Sequence, residues 1–88
     1  KYPAIVEDLC FILRARTHVV DLIRLIKQAS SIIQSVELID SFNNQRTIRI
    51  AYQHPKKTLN EKEVKQIREK IIKKARTKLN ARLKAALE

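Results

Sequence analysis

The sequence contains no glycine among its 88 residues, and this absence restricts how the backbone can turn. Turns and helix ends that need a positive φ usually take glycine, and asparagine is the next most tolerant residue. We therefore expect Asn43, Asn44 and Asn80 to occupy such positions. The absence of glycine also excludes the glycine-rich loops that bind the phosphates of nucleotides.

Residues 36–54 are predicted to form a β-hairpin with Asn43-Asn44 as a two-residue type I′ turn. The expected cross-strand pairs are Phe42–Gln45, Asp40–Thr47 and Leu38–Arg49. The expected core face carries Ile39, Ile48, Ile50 and Tyr52. The opposite face carries Val36, Leu38, Asp40, Phe42, Thr47, Arg49 and Ala51. Because this second face mixes apolar groups with an aromatic ring, a carboxylate and a guanidinium, it favours binding over plain solvation.

The remaining segments alternate between strand and helix patterns. Residues 8–14 predict a first strand, with Leu9, Phe11 and Leu13 toward the core and Cys10 and Ile12 on the other side. The first helix is expected to begin after an N-cap at Thr17, and its apolar stripe is Val19, Leu22, Ile23 and Ile26. The second helix should begin with a capping box of Asn60 and Glu63, and its stripe is Val64, Ile67, Ile71, Ala75 and Leu79. Arg68 is expected to snorkel at the edge of that stripe.

The resulting order is β-α-β-β-α-β, which is the split βαβ of the ferredoxin-like α+β fold. Right-handed crossovers would place the first and third strands at the centre of a four-stranded antiparallel sheet, with both helices on one face. Residues 81–84 are the candidate fourth strand, and the alternative that they prolong the second helix stays open.

The formal net charge of +10 is distributed unevenly along the chain. Residues 1–55 hold seven Lys/Arg against five Asp/Glu, and residues 56–88 hold twelve against four. This balance favours a polyanionic partner, with nucleic acid ahead of a membrane. A solvated basic helix face explains the same charge, and both explanations stay open.

Catalytic and metal-binding groups are scarce in this sequence. His18 and His54 stand at no recognisable spacing from a nucleophile or a carboxylate, and Cys10 reads as a small packing residue. We therefore expect no enzyme activity, no metal and no cofactor. A single cysteine suits a reducing, cytoplasmic location. No apolar run approaches 18 residues, so we expect no membrane span.

Two features bear on where the domain begins and ends. The chain does not start with Met, which we take as a sign that it is a piece of a longer protein. The expected domain covers residues 1–86, and residues 87–88 are a candidate cloning scar.

Four segments occur in the order found in a known family. They are Tyr2-Pro3-Ala4 with Asp8-Leu9, Val36-Glu37-Leu38-Ile39-Asp40-Ser41-Phe42, His54-Pro55-Lys56-Lys57-Thr58-Leu59 with Glu61, Glu63 and Val64, and Lys78-Leu79-Asn80-Ala81-Arg82-Leu83-Lys84. Together they resemble the ferredoxin-fold anticodon-binding domain at the C-terminus of the phenylalanyl-tRNA synthetase β chain. The departures from its usual residues are Glu7 for arginine, Cys10 for alanine, Phe42 for tyrosine, Lys57 for arginine and Asn80 for glycine. The loop between the second and third strands is also shorter than the family's.

The resemblance implies that the open face of the sheet reads the anticodon of phenylalanine tRNA, chiefly its wobble guanine. It implies RNA-binding roles for Asp40, Phe42, Cys10 and Arg49. Asp40 would accept hydrogen bonds from guanine N1–H and N2–H₂, Phe42 would stack on a base, and Cys10 is small enough to let the base lie close. Lysines and arginines would contact phosphates.

Structural alternatives stay open for two of these residues. Asp40 would be a carboxylate paired with Arg49, and Phe42 would be a hydrophobic lid on the hairpin. The expected partners are the anticodon stem-loop of phenylalanine tRNA and the remaining domains and subunits of a synthetase. The competing function is a free-standing ferredoxin-like protein-interaction domain, since this fold hosts many functions.

Overall fold

The computed structural model describes residues 2–87, and its elements follow the expected order. They are β1 (Ile5–Ile12), α1 (Val19–Lys27), β2 (Ile33–Phe42), β3 (Gln45–Tyr52), α2 (Glu61–Leu79) and β4 (Arg82–Leu87). The strands form one antiparallel sheet in the order β2-β3-β1-β4, with β1 and β3 at the centre. The predicted ferredoxin-like α+β fold is therefore confirmed.

The core lies between the two helices and one face of the sheet. Its buried members are Leu9, Phe11, Leu13, Leu22, Ile26, Ala29, Ile48, Ile50, Tyr52, Leu59, Val64, Ile71, Ala75 and Ala81. Four elements, β1, α1, β3 and α2, contribute buried side chains to this cluster. The edge strands β2 and β4 contribute only partly buried ones, namely Ile33, Val36 and Leu83. The predicted core sets of β1 and of both helices are confirmed, and Ile67, Leu79, Val19 and Ile23 pack against the cluster while half-buried. One face of the sheet thus remains free of helices.

Asparagines take the positions that glycine would otherwise occupy. Asn43 has φ 52° at the hairpin turn, and Asn80 has φ 54° as the left-handed C-cap of α2. Asn44 does not have the expected positive φ, so the prediction of a type I′ turn is also wrong. The carbonyl of Asn44 accepts a hydrogen bond from the amide of Leu13 at 2.8 Å, so contact with the end of β1 helps to set this residue's conformation.

The pairing of β2 with β3 contains a bulge at Ile39, which corrects part of the predicted register. Asp40 lies opposite Thr47 as expected, but Leu38 lies opposite Ile48 instead of Arg49. Ile39 is the extra residue, has no partner on β3 and is 38% exposed instead of buried. The residues just before it change face, so Val36 packs against the core, and a second irregularity between Ile33 and Ser35 ends this shift.

The predicted N-cap of α1 at Thr17 is wrong. The helix begins one residue later, with His18 as N-cap and no side-chain cap hydrogen bond. The Thr17 hydroxyl donates instead to the carbonyl of Leu79, 62 positions along the chain, at 3.5 Å. By contrast, the capping box of Asn60 and Glu63 at the start of α2 is confirmed in both directions.

Arg68 does not simply snorkel, because it belongs to a polar cluster between α2 and the sheet. Its guanidinium lies 2.7 Å from the carboxylate of Glu7, which also accepts a hydrogen bond from the Tyr52 hydroxyl at 2.6 Å. Burial of the Tyr52 ring and its bond to Glu7 raise the pKa of this hydroxyl well above its ordinary value. The cluster joins β1, β3 and α2 on the helix side of the sheet.

The last segment is a strand and not a continuation of α2. β4 pairs with β1 and extends to Leu87, three residues beyond the expected end. Of the two residues taken as a candidate cloning scar, Leu87 ends this strand and Glu88 lies outside the described residues.

Candidate nucleic-acid interface

Three rows of residues cross the face of the sheet that the helices leave open. The ladder pairs define them from β2 to β4 as Phe42, Gln45, Ile12 and Arg82; then Asp40, Thr47, Cys10 and Ala85; then Glu37, Arg49 and Asp8. Directly paired residues point to the same face, and neighbouring strands are about 4.8 Å apart. We call this surface the open face. It brings all four predicted site residues together.

Phe42 stands at the end of β2, next to the hairpin turn. Its side chain is 65% exposed and is the most exposed large hydrophobic group among the described residues. It is not among the hydrophobic residues packed against the core. The ring therefore offers an apolar surface to a partner, and a lid on the hairpin core does not describe it.

Asp40 lies in the neighbouring row and is also exposed. One carboxylate oxygen accepts a hydrogen bond from the amide of Ser41 at 3.0 Å. Within residues 2–87 no lysine, arginine or histidine forms an ion pair with it. The second oxygen consequently remains free to accept hydrogen bonds from a ligand.

Arg49 pairs with Asp8 and not with Asp40. Its guanidinium donates to both carboxylate oxygens of Asp8, at 2.9 and 3.1 Å. The hydrogen bond and the negative charge of Asp8 hold the pKa of Arg49 above its ordinary value. The ion pair of Asp40 with Arg49 that the structural alternative assumed is therefore not formed, because the guanidinium is bound to Asp8.

Cys10 lies in the floor of the open face between larger side chains. Its thiol is 6% exposed and donates weakly to the amide oxygen of Gln45 at 3.9 Å. Lys84 donates to the same oxygen at 3.1 Å. Thr47 and Ala85 flank Cys10 in its row, so small residues separate the Asp40 end of the face from β4.

Sequence reasoning missed Asp8, Gln45, Lys84 and Arg82 as residues of this face. The position of Asp8 could have been predicted, because it alternates with Cys10 and Ile12 along β1. The position of Lys84 could not, because β4 carries an irregularity opposite Cys10 and Phe11 that shifts its pairing.

Residues 2–87 hold no group of three His, Cys, Asp or Glu side chains suited to a metal ion. No helix there is long and apolar enough to cross a membrane.

The fold and the open face define a ferredoxin-like domain whose uncovered sheet carries an exposed aromatic ring and a carboxylate that forms no ion pair within residues 2–87. Residues 1–84 match the family model described as the ferredoxin-fold anticodon binding domain. The chain belongs to this family, and the resemblance seen in the sequence is confirmed.

Proposed function

We propose that this domain binds the anticodon loop of phenylalanine tRNA on its open face. In this proposal Asp40 recognises the guanine at the wobble position, and Phe42 stacks on a base. The membership of the anticodon-binding family supports RNA as the partner. The arrangement of side chains supports the choice of base.

The observation that carries the proposal is an exposed carboxylate with no counter-ion among the described residues, beside an exposed aromatic ring. An ionised carboxylate only accepts hydrogen bonds, and the Watson–Crick edge of guanine presents two adjacent donors, N1–H and N2–H₂. Asp40 retains a free oxygen for this edge. Uracil and cytosine offer no such pair of ring N–H and amino donors, so the carboxylate would favour guanine.

The neighbouring residues fit single-stranded RNA, whose unpaired bases are held by stacking and by edge hydrogen bonds. Phe42 provides the stacking surface, and such stacking contributes about 1–3 kcal/mol per base. Cys10 provides a low floor on which a flat base can lie. Arg49 remains about half exposed beside Asp8, where it can contact RNA while keeping that ion pair.

We further propose that the domain is the C-terminal module of a phenylalanyl-tRNA synthetase β chain in the cytoplasm. It would supply tRNA recognition, and the ligation chemistry would belong to other parts of the enzyme. A reading frame with a synthetase module upstream would support this placement, and a frame without one would favour the free-standing protein-interaction domain.

Direct binding tests the proposed function. Fluorescence anisotropy would compare the anticodon stem-loop of phenylalanine tRNA with the same stem-loop carrying adenine, cytosine or uracil at the wobble position. We expect the guanine loop to bind most tightly, by on the order of 1–3 kcal/mol, by analogy with the discrimination of base-edge contacts in DNA. Equal affinity for all four loops would contradict the proposal.

A further inference from the structure

We propose that a pocket at one end of the sheet binds a backbone phosphate of the same RNA through Arg14 and Arg82. The identity of the RNA rests on the proposed function. The pocket has a volume of about 420 Å³, and Ile12, Asn44 and Asn80 also line it. It lies where β1 ends, the hairpin turns and α2 gives way to β4. We call it the end pocket.

The ionisable residues that line the end pocket are both arginines. None of its lining residues is acidic. The three segments that meet there, residues 9–20, 41–60 and 70–87, contain no Asp or Glu at all. An anion that enters this pocket therefore meets no carboxylate among the residues that line it.

Arg14 and Arg82 are exposed and have no partner within residues 2–87, neither an ion pair nor a side-chain hydrogen bond. Arg24, Arg49 and Arg68 each pair with a carboxylate, whereas Arg14 and Arg82 share with Arg16 and Arg76 the absence of such a partner within residues 2–87, and only Arg14 and Arg82 line the end pocket. A guanidinium presents planar donors that match two phosphate oxygens at once. Two such groups in one pocket, with amides of two asparagines beside them, provide donors for a single phosphate.

The C-terminus of α2 works against an anion here, because a helix C-terminus carries roughly half a negative charge. Two features reduce this effect. The amides of Asn80 and Ala81 donate to the carbonyls of Arg76 and Ala75, which occupies exposed acceptors of the last turn. Two guanidinium charges also outweigh the remaining half charge.

The end pocket adjoins the proposed base-binding residues through the first row of the open face. Arg82 pairs with Ile12, Ile12 with Gln45, and Gln45 with Phe42. Three inter-strand spacings separate Arg82 from Phe42, roughly 14 Å in all. A few nucleotides of a single-stranded loop span this distance, so one loop reaches both the ring and the pocket.

Two double variants, each of which removes two positive charges, test the inference. R14Q/R82Q removes two positive charges from the end pocket, and K73Q/K74Q removes two from α2, which packs on the opposite side of the sheet. Binding of the anticodon stem-loop would be measured by anisotropy over a series of salt concentrations. We expect R14Q/R82Q to lose about ten-fold in affinity and to lower the salt slope by about one, and K73Q/K74Q to change much less.

Replacing single phosphates of the stem-loop with uncharged methylphosphonates locates the contact. We expect one or two linkages at which the parent protein loses affinity and R14Q/R82Q does not. The R14K/R82K variant keeps both positive charges but lacks the planar donors of the guanidinium groups. Its affinity should therefore lie between that of R14Q/R82Q and that of the parent. Because both arginines are exposed, circular dichroism and urea unfolding should show the same fold in all variants.

The outcomes separate this inference from the proposed function. Equal losses in R14Q/R82Q and K73Q/K74Q, or no sensitive linkage, would overturn the phosphate site even where wobble discrimination is intact. A sensitive linkage that depends on Arg14 and Arg82, together with equal binding of all wobble bases, would support the phosphate site and overturn the proposed base recognition.

Discussion

Arg49 and Asp8 face each other across the two central strands, and the guanidinium donates to both carboxylate oxygens at 2.9 and 3.1 Å. The pair holds the one arginine that the predicted hairpin register placed near Asp40. Asp40, in the next row of the open face, is left as an acceptor without a counter-ion among the described residues. A neutralised Asp40 would be a poor partner for the donors of guanine.

Asp8→Asn is expected to strengthen RNA binding overall and to reduce the preference for guanine, because the released Arg49 can then pair with Asp40 in the neighbouring row. The substitution removes a negative charge from the open face and releases Arg49 toward phosphate, so affinity and the salt slope should both increase. The free energy of unfolding should change little, because the pair is partly exposed and screened by solvent. Anisotropy titrations over a salt series would check this, and weaker binding would show that the pair itself contacts RNA.

Phe42→Ala is expected to reduce affinity for every anticodon loop to a similar extent. Lost stacking should cost about 1–3 kcal/mol, while the base preference set by Asp40 is kept. Because the ring is 65% exposed, the urea midpoint should hardly move. Phe42→Tyr restores an aromatic ring and is the matched control, so a loss of affinity in that variant as well would argue against stacking.

Tyr52→Phe is expected to flatten the dependence of stability on alkaline pH. The pKa of Tyr52 is raised in the folded state by burial and by the bond to Glu7, so the unfolded chain ionises first, near pH 10. The stabilisation is complete below that pH. Above it the free energy of unfolding should fall by up to about 1.4 kcal/mol per pH unit until Tyr52 ionises in the folded protein.

Urea unfolding of the parent and of Tyr52→Phe between pH 9 and about pH 11.5 measures this difference. Lysines titrate in both proteins, so their contribution cancels in the comparison. Parallel pH profiles would mean that the hydroxyl ionises as easily in the fold as in the unfolded chain.

Local sequence predicts the features of this fold that depend on local contacts. The capping box of Asn60 and Glu63, the left-handed Asn80 and the pairing of Phe42 with Gln45 each involve residues within a few positions of one another. The bulge at Ile39 follows from no glycine or other local signal and appears only once β2 is laid against β3 and the core.

The candidate site also combines features that local sequence predicts with features that depend on tertiary contacts. Alternation along β2 places Asp40 and Phe42 on one face, and alternation along β1 places Cys10 on the side away from the buried Leu9 and Phe11. The partner of Arg49 depends on how β1 and β3 align, 41 positions apart, and Thr17 is likewise drawn from its expected capping role by Leu79. Such choices depend on tertiary contacts that no short pattern encodes.

Asp40→Asn, titrated with stem-loops that differ only at the wobble base, tests the proposed base recognition most directly. The substitution keeps the size of the side chain but sets an amide donor against the donors of guanine. We expect the preference for the guanine loop to shrink by on the order of 1–3 kcal/mol, while affinity for the other loops stays the same or rises with the loss of a negative charge and the urea midpoint stays near that of the parent. An unchanged preference for guanine, or an unfolded variant, would show that Asp40 is not the residue that reads the base.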